Sequence, residues 1–143
     1  MSAAERERQF VDTNVLVYAH DATAVAKTGR AAKLLDDLWE SGEGCLSLQV
    51  LQEFFVNITR KVSKPLPTSA AANIIEKLGS WTTHSPTTKD LLAAIEIHDR
   101  RRISLWDALV VRSASRLGCK ILWTEDLKDG ETYEGVRVRN PFR

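Results

Sequence analysis

Cysteine is scarce in this chain of 143 residues: only Cys45 and Cys119 occur, each opening an apolar run after a glycine. So few thiols cannot form the disulfide framework of a small secreted domain, and no histidine lies at metal-ligand spacing from either. They read as small buried hydrophobes in a reducing compartment. A charge excess of either sign is also missing. Lys and Arg number 20 against 19 Asp and Glu, a net charge of +1, so no global field advertises a nucleic-acid partner and any basic surface must be local. No apolar stretch approaches the roughly 20 residues that span a bilayer, and the polar, charged start Met1 to Arg8 is unlike a signal sequence. A cytoplasmic protein without a membrane segment is the expectation. Repeats, low-complexity tracts and domain linkers are absent too. The length suits one domain, residues 1–143, able to bury roughly 70% of the surface its unfolded chain exposes.

What the chain does contain is an alternation of strand-like and helix-like segments. Gln9 to Asp12 reads as a short buried strand, and Val15 to Ala19 continues into a first helix. Ala31, Leu34, Leu35 and Leu38 recur at helical spacing, with Gly42 placed to stop that helix. Cys45-Leu46 predicts a brief strand and Ser47 a cap for a helix reaching about Val62, its core stripe Leu51, Phe54, Phe55, Ile58 and Val62. After the break at Lys64-Pro65-Leu66-Pro67, a helix runs from Thr68 or Ser69 to Gly79, followed by a strand at Trp81 to His84. Thr87 or Thr88 is expected to cap a helix running through Leu91, Leu92 and Ile95. A helix over Leu105 to Leu117, a strand over Cys119 to Thr124 and a last edge strand, Val136 to Arg139, complete the pattern. Strands alternating with helices predict an α/β fold, a three-layer α/β/α sandwich around a mostly parallel sheet.

Asp12, Glu53, Asp107 and Asp126 each fall where a strand hands over to a helix or loop. The carboxyl ends of parallel strands share one edge, where ligands bind, so residues far apart in sequence can meet there. Two carboxylates about 4 Å apart repel by roughly 4 kcal/mol at an effective dielectric near 20. Several such pairs approach the whole stability of a domain, about 5–15 kcal/mol. A clustered quartet must take up protons or bind a metal.

Each acid also has a plainer explanation. Asp12 could close an Asx-type turn, although an aspartate ending a buried apolar strand is poorly explained by packing. Ser104-Leu105-Trp106-Asp107 has capping-box spacing. Glu53 shares a polar helix face with Gln49, Asn57 and Arg60, and Asp126 has acidic neighbours in Glu125 and Asp129. His20-Asp21 and His98-Asp99 resemble the dipeptide of helical metal phosphohydrolases, but three histidines are too few for that site. Arg100-Arg101-Arg102 suits either phosphates or a helix C-terminus.

Taken together, Asp12-Thr13-Asn14-Val15-Leu16, Gln52-Glu53-Phe54, Ser104-Leu105-Trp106-Asp107-Ala108-Leu109 and Trp123-Thr124-Glu125-Asp126-Leu127 resemble the PIN-domain ribonucleases, specifically the VapC-type toxins of bacterial toxin–antitoxin pairs. The resemblance extends from Phe10 to Phe142. It implies a metal-dependent endoribonuclease using Mg²⁺ or Mn²⁺, with RNA as substrate, a homodimer, and a cognate antitoxin protein covering the active site. The family's acidic positions carry over onto Asp12, Glu53, Asp107 and Asp126, and its hydroxyl onto Thr124. Asp12 and Asp107 are expected as the most direct metal ligands, with Glu53 and Asp126 completing the pocket. Asn14 and Thr124 are expected to hold carboxylates by hydrogen bonds. Leu38, Trp39, Phe54 and Phe55 offer the apolar surplus an amphipathic antitoxin segment would cover. Two alternatives remain: a phosphatase or DNA nuclease using the same acids, and a non-catalytic receiver-like signalling module. A haloacid-type phosphatase would want a second aspartate where Asn14 stands, and a receiver an aspartate where Ser47 stands.

Overall fold

The computed structural model describes residues 7–143, so residues 1–6 of the charged start lie outside it. In chain order the elements are β1 (Gln9–Val11), α1 (Thr13–His20), α2 (Val25–Ser41), β2 (Gly44–Ser47), α3 (Leu48–Arg60) and α4 (Thr68–Leu78). Then follow β3 (Thr82–His84), α5 (Thr88–Arg101), α6 (Leu105–Arg116), β4 (Ile121–Trp123), β5 (Thr132–Tyr133) and β6 (Val136–Arg139). One sheet has the order β3-β2-β1-β4-β6-β5, parallel throughout except for the β5–β6 pair. Helices α1 to α4 pack among themselves, α5 packs on α6, and the sheet lies between the two groups. This is the expected α/β/α architecture.

Local chemistry explains the boundaries. Ser47 caps α3, its hydroxyl accepting from Val50 N at 3.2 Å. Gly42 ends α2 at φ 74°, a left-handed conformation that glycine adopts without Cβ strain. The helix begins at Val25, six residues before its apolar stripe becomes readable at Ala31, because its first turns are largely solvated. Gly44 is required for a different reason: a Cβ there would meet the Trp81 ring at 2.5 Å.

Two expectations are corrected. Val136–Arg139 is not an edge strand, because Thr132–Tyr133 folds back onto it and takes the edge. The turn between them has positive φ at both Glu134 (49°) and Gly135 (81°), the pattern of a primed hairpin turn. On α5 the inward residues are Asp90, Ala94 and Ile97, whereas Leu91, Leu92 and Ile95 are exposed. The apolar surplus expected on α2 and α3 is largely core: Leu38 and Phe54 are buried and Phe55 half-buried, and only Trp39 stands out.

Candidate metal centre

The sheet reverses its winding between β1 and β4. From β1 the chain moves outward through β2 to β3, then returns to the far side of β1 as β4. A crevice opens outside the carboxyl ends of the strands at such a switch point. Asp12 follows β1 directly, and its backbone N–H donates to Trp123 O at 3.0 Å, tying the two strand ends together. Thr124 follows β4 and Asp126 lies two residues on, while Asp107 sits in the first turn of α6.

These elements bring Asp12, Asp107 and Asp126 together: one carboxylate oxygen from each lies within 4.8 Å of the others. Asp12 is buried and doubly held, Oδ1 accepting from Thr13 N at 2.7 Å and Oδ2 from Thr124 Oγ1 at 2.8 Å. The same Thr124 hydroxyl accepts from Asp126 N at 3.1 Å, so one side chain orders two of the acids. Asp12 is therefore both the N-cap of α1 and a member of the cluster. Asp107 resolves differently. Its backbone N–H donates to Ser104 Oγ at 3.0 Å, but no return bond from its carboxylate is formed, unlike the complete box of Thr87 and Asp90 on α5. Its side chain is free for the crevice.

Glu53 lines the same crevice without joining the three closest oxygens. It is held by Thr13 Oγ1, which donates to Oε2 at 3.0 Å, and by Gln49 Nε2, which donates to Oε1 at 2.8 Å. Asn14 also lines the crevice, but neither of its buried side-chain polar atoms completes a hydrogen bond, so the expected hold on a carboxylate is made by Thr124 and not by Asn14. The competing acids are engaged elsewhere. Glu125 pairs with Lys27 at 2.6 Å and Tyr18 at 2.8 Å, and Asp129 accepts from Asn140 N. Arg100 and Arg101 pair with Glu134 and Glu131, so neither serves this crevice. His20 and His98 bond backbone carbonyls.

Burial pushes the Asp12 carboxyl up to about 7, against the lowering of its two hydrogen bonds, with the charges of Asp126 and Asp107 adding to the rise. Asp126 is raised as well, first by burial and then by Asp107. Asp12 is buried, Asp107 half-buried and Asp126 exposed, so the closeness of the three and the burial of Asp12 are what disfavour shared ionisation. The donor set is all oxygen, which suits a hard divalent cation such as Mg²⁺ or Mn²⁺ rather than a soft metal. The crevice, about 560 Å³, also takes in residues that the acidic pattern did not single out as site residues: Gln49, Asn57, Lys61 and Trp106. The sequence already placed Gln49 and Asn57 on the face of Glu53, and the structure carries that face on to Lys61, with Arg60 outside the crevice.

A doubly wound sheet with an acidic, oxygen-only cluster at its switch point defines a class of divalent-cation sites. The profile of the PIN domain matches residues 10–129, and the chain belongs to that family. Solved structures agree. Mycobacterium tuberculosis VapC20, described as a sarcin-ricin loop cleaving toxin, is 26% identical with a TM-score of 0.61 over 80% of this chain and 86% of its own. A toxin–antitoxin complex from Klebsiella pneumoniae is 16% identical, TM-score 0.67, over 93% of this chain and 97% of its own. DNA-bound VapBC from Salmonella typhimurium is 15% identical, TM-score 0.65, over 95% and 99%. At those two identities the likeness concerns the fold. No curated protein matches the sequence significantly.

Proposed function

We propose that this protein is a metal-dependent endoribonuclease that acts as the toxin of a toxin–antitoxin pair in the cytoplasm, as a single domain. The observation that carries the reading is the convergence of Asp12, Asp107 and Asp126 at the switch point of a PIN fold. Asp12, Asp107 and Asp126 would hold Mg²⁺ or Mn²⁺, with Glu53 completing the acidic wall. When bound, such a cation supplies Lewis-acid stabilisation of charge developing on phosphate oxygens. The chain's own residues set the geometry. Thr124 holds Asp12 and the Asp126 backbone in one arrangement, and Thr13 and Gln49 fix Glu53, so the carboxylates need not reorganise on binding. Asp12, whose carboxyl is raised by burial to about 7, would hold the cation as the carboxylate, the form that Thr13 N and Thr124 Oγ1 already hydrogen-bond.

The solved toxin–antitoxin assemblies support an antitoxin as the partner that restrains the enzyme. A second copy of this chain is the other partner, and the exposed Leu91, Leu92 and Ile95 of α5 support it. Expression in a bacterium tests the whole reading. Wild type should arrest growth and leave new RNA 5′ ends of defined sequence, the neighbouring antitoxin gene should rescue the cells, and Asp12→Asn should be harmless. Arrest that persists with Asp12→Asn at equal levels of folded protein would overturn the nuclease assignment.

A further inference from the structure

Trp106 is the most exposed of the four tryptophans, at 63%, and the others are engaged. Trp39 and Trp81 meet edge to face at a centroid distance of 5.2 Å. Trp123 donates from Nε1 to Gln9 at 2.7 Å and carries the Arg139 guanidinium 5.8 Å from its ring centroid. Trp106 forms no such aromatic, cation–π or hydrogen-bonded contact among the described residues. An indole left in water forgoes the burial that makes tryptophan favourable in a fold. Its position is specific: it immediately precedes Asp107 in the first turn of α6 and lines the acidic crevice with Val110.

The facing wall has a chemistry of its own. It is built from α3 and carries carboxamides at Gln49, Gln52 and Asn57, with Lys61 at the far end. Asn14 and Gln49 each keep buried side-chain polar atoms without a hydrogen-bond partner, so the crevice retains unused donors and acceptors. Past Asn14, Asn57 and Lys61 it continues into a second hollow of about 340 Å³ beside Tyr18 and Val62. A flat aromatic face, amides that both donate and accept, one lysine and a run longer than the acidic cluster match a single-stranded polynucleotide. Unstacked bases bind by stacking on aromatics and by hydrogen bonds at their edges.

We propose that Trp106 is a base-stacking platform that seats an unpaired nucleobase beside the acidic cluster, opposite the carboxamide wall of α3. The proposal rests on the ribonuclease reading for its natural substrate, and it makes single-stranded RNA the form attacked. A base seated on Trp106 brings the adjoining phosphate near Asp107, one residue further along the same helix, where a bound cation would offset the repulsion between phosphate and carboxylates. Lys61 takes a phosphate further along the strand. Trp106 is thus a substrate-binding residue that raises affinity and sets register without touching the reacting atoms.

The test compares two fluorescently labelled single strands in Mg²⁺, a deoxyadenosine decamer and an abasic decamer with the same phosphates. Wild type should bind the base-bearing strand about tenfold more tightly than the abasic one, within the range of one stacked base. Trp106→Ala should erase that difference while leaving abasic binding unchanged, and Trp106→Phe should keep part of it. On RNA, Trp106→Ala should raise KM by a similar factor with kcat retained. Equal affinity of wild type and Trp106→Ala for the deoxyadenosine decamer would overturn the platform. So would weakened binding of the antitoxin with unchanged binding of the decamer, since Trp106 would then be a protein anchor. Failure of wild type to cleave any RNA would instead sink the ribonuclease reading, because the decamer comparison does not depend on cleavage.

Discussion

Asp12 is the buried carboxylate of the cluster. Its carboxyl is raised from 3.8 to about 7, so without a cation the folded state binds the proton more tightly than the unfolded chain does. The contribution is favourable below about pH 4 and is lost as pH rises towards 7, by a few kcal/mol on an order-of-magnitude basis. Metal-free wild type should therefore lose thermal stability between about pH 4 and 7, and Asp12→Asn should lose much less. Adding Mg²⁺ at about a hundred times its Kd should restore roughly 2.7 kcal/mol to wild type and little to the variant. Parallel melting curves for the two proteins across that pH range would show that Asp12 is not the strained group. Asp107→Asn isolates the neighbouring acid. Ser104 still caps α6 through the backbone, so stability at neutral pH in Mg²⁺-free buffer should change by less than about 1 kcal/mol while RNA cleavage falls at least a hundredfold. A folded Asp107→Asn protein cleaving at the wild-type rate would remove Asp107 from the site. The convergence of Asp12, Asp107 and Asp126, with Glu53 on the crevice wall, was legible from their order along the alternating strands and helices, although each acid alone had a plainer explanation. That Trp106 and Lys61 line the crevice was not legible, since it depends on which helix face meets the crevice.

At the scale of elements, α5 shows why periodicity is an incomplete guide. Leu91, Leu92 and Ile95 satisfy helical spacing, but spacing names a face without saying which way it turns. The decision falls to Asp90. This buried carboxylate completes a capping box with Thr87 and accepts from Arg112 Nε at 2.9 Å, with His84 at 3.3 Å and Arg116 at 3.7 Å. Leaving so polar a group unpaired would cost more than exposing three aliphatic side chains, so α5 turns Asp90, Ala94 and Ile97 inward. The Thr87 backbone amide, above all, holds the Asp90 carboxyl down at about 2. Its stabilisation is present above pH 4 and lost as pH falls through 2, on the order of 1 kcal/mol once the partly solvated arginines are discounted for screening. Asp90→Asn should cost about 2 kcal/mol at pH 7 in urea denaturation, combining cap and ion pair, with the gap narrowing towards pH 2. A gap that widens on acidification would show that the carboxylate is not the stabilising form. The other strand and helix positions were readable from caps and apolar runs. The β5 edge was not, because two residues and a turn with Glu134 at positive φ leave no pattern.

For the whole molecule, the proposed pairing of two copies falls to the outward face of α5. Leu91, Leu92 and Ile95 are 40%, 62% and 43% exposed, and Lys89 and Glu96 stand on the same helix. An isologous interface needs one patch that complements itself, and an apolar strip bearing both charge signs meets that requirement about a two-fold axis. In a monomer, replacing these side chains should scarcely matter, because surface changes away from special features shift stability by about 0.5 kcal/mol or less. Within a dimer the same changes bury charge against apolar surface and break the pair. Leu92→Glu with Ile95→Glu should therefore convert a dimer to a monomer in sedimentation velocity, with the thermal midpoint of the wild type becoming concentration-dependent and that of the variant not. Cleavage of a short RNA should survive in the monomer, because every acid of the crevice comes from one chain. A wild type that sediments as a monomer at tens of micromolar, or a double variant that stays dimeric, would take α5 out of the interface.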